Sequence, residues 1–151
     1  MFKELGTNKI EQYLLFIKIL YEGVKLKSLP LATNNKLYRA SKISDDEIKK
    51  IKESLESKKK DLPASIVFSN SFLSFSKEKS VAQYYLSKPN KAQNLSKVLY
   101  ILEKDDNIEY NLSTHGDIEK ISYYPTEREV LFFPFSSFEI KKVEKITIGN
   151  E

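Results

Sequence analysis

The sequence predicts an α+β fold, with helices in the first third packed against antiparallel sheet built from the remainder. Three observations lead there. Apolar residues before position 30 recur at spacings of three and four, the period of a helix face. From Ser96 onward the pattern is short apolar runs broken by turn residues. There is no internal repeat and no low-complexity linker, and the chain holds only 4 Gly and 5 Pro, so one compact unit spanning residues 1–151 is expected.

The elements follow in order. Ile10, Leu14, Ile17, Tyr21 and Val24 form one stripe on an N-terminal helix, which Leu29-Pro30 closes. Residues 1–35 are therefore a helical lead-in and 36–151 the core. A strand is expected over Lys36–Ala40. Ser44 and Glu47 form a capping box, in which each side chain bonds the other's exposed backbone N–H. Asp45 and Asp46 suit the positive end of the helix dipole, and Ile48, Ile51 and Leu55 give that helix a narrow apolar stripe. The run Lys58-Lys59-Lys60 reads as a solvated, basic helix end. Beyond Pro63, Ala64–Phe68 reads as a strand. A helix over Lys77–Leu86 starts from the candidate cap Ser76 and stops at Pro89. KVLYILE (97–103) is a strand that turns at Asp105–Asn107. His115, in STHGD, reads as a loop residue. Glu129–Phe133 and Phe138–Val143 are late strands, with KITIG (145–149) a third.

Composition removes several classes of function. Hydrophobic residues are 40% of the chain, with nine Phe and nine Tyr, enough for a core and too much for wholesale disorder. With no Cys, there is no disulfide, thiol nucleophile or Cys-ligated metal. A single His excludes multi-His metal sites and leaves any Ser/His/Asp triad resting on it alone; no metal site is expected. With 25 basic and 21 acidic residues the net charge is +4, short of the clustered cationic surface of a nucleic-acid binder, so no specific nucleic acid partner is expected. The most apolar run, Tyr13–Leu20, contains Lys18 and is followed by Glu22 and Lys25, which is too short and too charged to span a bilayer. No secretory signal opens the sequence, and neither a membrane partner nor a Gly-rich phosphate loop is expected.

Three segments carry chemistry-bearing side chains. Leu37-Tyr38-Arg39-Ala40 puts an Arg between apolar residues. Phe72-Leu73-Ser74-Phe75-Ser76 places Phe72, Ser74 and Ser76 on one face if extended. Glu127-Arg128-Glu129-Val130-Leu131-Phe132 places two carboxylates two residues apart at a strand entrance, facing one way, with Arg128 opposite.

The order and spacing of these segments, with Lys77…Val81-Ala82 after the second, resemble the arginine–serine–glutamate class of mono-ADP-ribosyltransferases, in its arginine-specific, Glu-x-Glu branch. Ser122-Tyr123-Tyr124-Pro125-Thr126-Glu127-Arg128-Glu129-Val130-Leu131-Phe132, followed by Pro134, Ser136, Phe138 and Glu139, resembles that family's recognition loop and catalytic strand. The resemblance runs from about residue 37 to residue 145. It implies a mixed, mainly antiparallel, β-sandwich-like core and an NAD-dependent protein-arginine ADP-ribosyltransferase with NAD as substrate. It further implies that Arg39 grips the NAD phosphates and that Ala40 offers its backbone to the nicotinamide amide. Ser74 orients the catalytic Glu129, and Ser76 and Phe72 complete the NAD side. Glu127 receives the target, with Tyr123 and Tyr124 on the recognition loop. Two features depart from the family pattern: Ala40 stands where Gly is frequent, and Phe75 where Thr or Ser is. The implied partner is a protein with an exposed arginine, met in the cytoplasm or after translocation as an effector. The other reading kept open is a catalytically degenerate module of the same fold that binds protein or nucleic acid through Lys58–Lys60, Lys141-Lys142 and its tyrosines.

Overall fold

A computed structural model describes residues 7–26, 36–56, 66–89, 94–104 and 114–146. Helix α1 (Thr7–Leu26) is followed by strand β1 (Leu37–Ser44), helix α2 (Asp45–Glu56), strands β2 (Ile66–Phe68) and β3 (Leu73–Ser76), helix α3 (Lys79–Ser87), and strands β4 (Leu95–Leu102), β5 (His115–Asp117), β6 (Glu129–Phe132) and β7 (Ser137–Glu139). Five strands form a sheet in the order β4-β1-β3-β6-β5, and β2 pairs with β7 in a second, two-stranded sheet. Every described pairing is antiparallel.

The pleat of β6 explains how the layers join. Val130 and Phe132 point into one core cluster with Leu37 and Phe75, closed by Phe138 from the smaller sheet. Phe138 meets Phe75 and Phe132 at ring separations of 6.1 and 5.4 Å, so the two sheets pack face to face as a sandwich. Leu131 and Phe133 point the other way, to Val24 of α1, with Leu20, Phe72 and Ile118 around them. Alternation with period two thus lets one four-residue strand serve both layers.

The capping box forms as expected: the Ser44 N–H donates to Glu47 Oε2 at 3.1 Å, and the Glu47 N–H to Ser44 Oγ at 3.2 Å. Other expectations are corrected. β1 does not end at Ala40 but runs on to Ser44, because all eight of its residues pair with β4. α3 starts at Lys79, with Glu78 as its N-cap and no side-chain cap bond, because Ser76 still belongs to β3, paired with Glu129, and its hydroxyl accepts only the Glu78 N–H. His115 lies in a strand, opposite Phe132; the edge of β6 imposes extended backbone on a polar segment with little strand propensity of its own. The strand expected over Phe138–Val143 stops at Glu139, and no strand follows through residue 146. The apolar stripe of α1 docks only at its C-terminal end. Val24 is buried and Tyr21 stacks on Phe133 at 4.5 Å, whereas Leu14 and Ile17 remain exposed. Leu29-Pro30, Lys58–Lys60, Asp105–Asn107 and most of KITIG lie outside the described residues.

Candidate active site

β1, β3 and β6 lie side by side at the centre of the large sheet, and α3 packs across β1. Between them is a cleft of about 210 Å³. It is lined by Tyr38, Arg39 and Ala40 of β1, Ser74 to Ser76 of β3, Val81, Ala82 and Tyr85 of α3, and Glu127 and Glu129. Residues separated by as many as 91 positions in sequence (Tyr38 to Glu129) therefore share one concavity.

Arg39 is held by the sheet itself. Its Nη1 donates to the Ser74 carbonyl oxygen at 2.9 Å, bridging β1 to β3. Ser76 stands directly opposite Glu129 in the β3–β6 ladder. Its side chain is buried, donates to the Glu127 carbonyl oxygen at 2.7 Å and accepts the Glu78 N–H at 2.9 Å. One hydroxyl thus ties the end of β3 and the entrance of α3 to the turn before β6. Ser122 Oγ lies 3.5 Å from Glu129 Oε2, at the outer limit of a hydrogen bond.

The two glutamates share the cleft, but not through a common strand face. Glu127 ends a short 3₁₀ turn, Pro125–Glu127, and Arg128 is left-handed with φ 46°. The strand begins only at Glu129. The Arg128 N–H bonds the Pro125 carbonyl at 3.1 Å, and its guanidinium pairs with Glu78 and, at 3.6 Å, with Glu119. Glu119 also pairs with Lys77 at 2.9 Å, and Lys77 with Asp117. This outer network offsets the cost of left-handed backbone at a non-Gly residue and fixes where the turn aims Glu127.

Tyr85, which the sequence reading did not single out, donates its hydroxyl to Glu127 Oε1 at 2.9 Å. That bond to the carboxylate raises the phenol above its ordinary value. The signal was present in the spacing: Glu78, Val81, Ala82 and Tyr85 fall at i, i+3, i+4 and i+7, one face of α3.

The remaining candidates lie elsewhere. Phe72 shares the face of Ser74 and Ser76, but farther along, where α1 covers the sheet. It packs in the Val24 cluster, 6.2 Å from the Phe133 ring, and does not line the cleft. Tyr123 and Tyr124 are exposed and meet edge to face at 4.8 Å on the approach to the turn. The Tyr124 carbonyl accepts the Glu127 N–H at 3.0 Å. Among the described residues no group of His, Cys, Asp or Glu could hold a metal ion, and no helix is long and apolar enough to cross a membrane.

This α+β arrangement of helices on antiparallel sheet matches the fold of solved ADP-ribosyltransferase structures. Among solved structures, the chain is similar to Vis toxin, an ADP-ribosyltransferase from Vibrio splendidus, with 21% identity and a TM-score of 0.61 over 91% of this chain and 53% of that one. It is likewise similar to Vis in complex with agmatine, with 22% identity and a TM-score of 0.64 over 94% of this chain and 56% of that one. The chain thus spans about half the length of the structures it matches. No protein-family model matches it, and neither does any curated protein.

Proposed function

We propose that this chain is a mono-ADP-ribosyltransferase that moves ADP-ribose from NAD to an arginine side chain of a protein, releasing nicotinamide, with NAD glycohydrolysis as a side reaction. The observation that carries the proposal is the convergence of Arg39, Ser74, Glu127 and Glu129 on one cleft of this fold. The arginine acceptor draws support from agmatine, a guanidine related to arginine, which Vis binds.

About 210 Å³ is below the ~300–1,000 Å³ of pockets that enclose a drug-sized molecule, so in this scheme the cleft takes the nicotinamide–ribose end of NAD and the phosphates lie toward its mouth. A guanidinium is the side chain best shaped for phosphate, and that part falls to Arg39, whose Nη1 is held by the Ser74 carbonyl oxygen.

Nicotinamide leaves as a neutral molecule, taking the electron pair of the C1′–N bond, so no acid is required. The ribose acquires oxocarbenium character, as in glycoside hydrolysis. Glu129 accepts a hydrogen bond from the ribose 2′-hydroxyl and stabilises the developing positive charge. Glu127 receives the acceptor guanidinium and takes a proton from the nitrogen that forms the new bond to C1′. When water reaches C1′ instead, NAD is hydrolysed. The cellular setting that suits this chemistry is the cytoplasm, the chain's own or a host's.

The test is incubation with NAD and agmatine, following nicotinamide release and ADP-ribosyl-agmatine by mass spectrometry. Both products are expected. Nicotinamide without the adduct would reduce the protein to a glycohydrolase, and neither product would sink the reading.

A further inference from the structure

The outer flank of α3 is unexplained by the scheme above. Ala82 and Leu86 are the buried residues of this helix, yet it also carries two adjacent exposed tyrosines, Tyr84 and Tyr85. Their rings meet edge to face at 5.7 Å. Lys88, one turn on, places its ammonium 4.7 Å from the Tyr84 centroid and 4.5 Å from that of Tyr85. Both distances lie inside the ~6 Å reach of a cation–π contact. The same Tyr85 gives its hydroxyl to Glu127.

We propose that Tyr84 and Tyr85 form the second wall of the acceptor site, a ring platform for the incoming guanidinium from which the Tyr85 hydroxyl aims Glu127. The proposal rests on the arginine-transfer reading and gives the acceptor site a wall besides the loop that carries Tyr123 and Tyr124.

Three features carry it. First, the platform already holds a cation of the chain's own, so the rings are oriented to take one. A guanidinium, planar and weakly hydrated, stacks on such faces better than an ammonium. Second, Tyr85 engages only Oε1 of Glu127, leaving Oε2 to accept from the acceptor. A carboxylate with one oxygen tethered presents the other in a fixed direction and loses less freedom on binding. Third, both rings are exposed to the solvent from which a protein side chain arrives, and Tyr85 lines the cleft, whereas Ala82 and Leu86 of α3 are buried. No proton or bond changes hands at either tyrosine; they are positioning and specificity residues.

The experiment is steady-state kinetics at saturating NAD with agmatine as the varied acceptor, on wild type, Tyr85→Phe and the double variant Tyr84→Ala/Tyr85→Ala. Tyr85→Phe keeps the ring and removes the tether, and is expected to raise the KM for agmatine about three- to tenfold. The double variant also removes the platform and is expected to raise it by a further factor of about two to five. The ratio of agmatine transfer to NAD hydrolysis falls in the same order. A merely structural loss would scale both outputs together and leave KM and the ratio in place. A KM and ratio within about twofold of wild type in both variants, or a lower KM, overturns the proposal. Wild-type protein that releases nicotinamide but never modifies agmatine overturns the arginine reading itself, a separate result seen before any variant is made.

Discussion

The Ser76 hydroxyl donates to the carbonyl oxygen of Glu127 at 2.7 Å across 51 positions of sequence. It also accepts the Glu78 N–H, so Ser76→Ala leaves one acceptor and one donor in a buried place without their partner. The expected cost is about 1–3 kcal/mol. For a chain of this length each kcal/mol lowers Tm by roughly 2–4 °C, so calorimetry should read a drop of several degrees. Agmatine transfer should fall as well, because the turn that aims Glu127 loses its tether. A variant with wild-type Tm would show that the contact stabilises nothing.

The two glutamates should separate hydrolysis from transfer. Under the proposed mechanism Glu129→Gln removes the negative charge that faces the ribose, and both nicotinamide release and agmatine modification should fall by about 10²–10³-fold. Glu127→Gln keeps that charge but removes the proton acceptor, so transfer should be lost while some NAD hydrolysis survives. Both side chains are part-exposed, so neither change should lower Tm appreciably. If both variants still modify agmatine, the assignment of roles is wrong.

Lys77, Asp117 and Glu119 make acid stability a readout of the network behind the turn. Burial disfavours the Lys77 charge, but bonds to Asp117 and Glu119 outweigh it and leave its pKa raised. Burial likewise pushes Asp117 up, and the Lys77 bond and the Glu119 N–H more than reverse it; Glu119 is lowered chiefly by its bond to Lys77. The carboxylates therefore contribute stability that is complete above their unfolded values of about 4 and is lost as pH falls through the depressed folded values. The Lys77 contribution is complete below its ordinary 10.5 and is lost as pH rises through the raised folded value. Lys77→Met should cost about 1–2 kcal/mol at neutral pH. The gap in Tm between variant and wild type should close progressively as pH falls below about 4. Parallel curves through that acid range would show that the network is not coupled to these titrations.

Local chemistry was readable from the residues, and non-local chemistry was not. The Ser44–Glu47 box and the strand from Glu129 onward were legible because their signals lie within a few positions. The set of residues lining the cleft was legible in part, since motif order places Arg39, Ser74 and Glu129 on three strands. The route by which Glu127 reaches it was not. A pleat argument presumes a strand, and the left-handed turn at Arg128 depends on Glu78, 50 residues away. Tyr85 escaped notice for the same reason, as its partner lies 42 positions on. Phe72 was misplaced along the sheet rather than on the wrong face, because no residue pattern states where α1 ends its cover. β5 was missed because its polar residues are extended only to satisfy the edge of β6.

Gly116 and Gly23 should respond to alanine with opposite signs. A Cβ on Gly116 would fall 2.5 Å from the Val24 carbonyl oxygen and 2.7 Å from Val24 Cγ1. The carbonyl belongs to the helix backbone and cannot step aside, so Gly116→Ala must lift the C-terminal end of α1 off β5. That is where the helix buries Val24 and stacks Tyr21 on Phe133. The expected loss is about 1–3 kcal/mol. Gly23, three positions from the end of α1, has nothing within 4 Å of the same added atom. There alanine only removes backbone freedom from the unfolded chain and should stabilise by about 0.5–1 kcal/mol. Thermal melts of the two single variants and their combination check this. The Gly116→Ala change should also strip hydrogen-exchange protection from residues 20–26 while sparing β1 and β4. Equal protection there in variant and wild type would mean that α1 does not rest on Gly116.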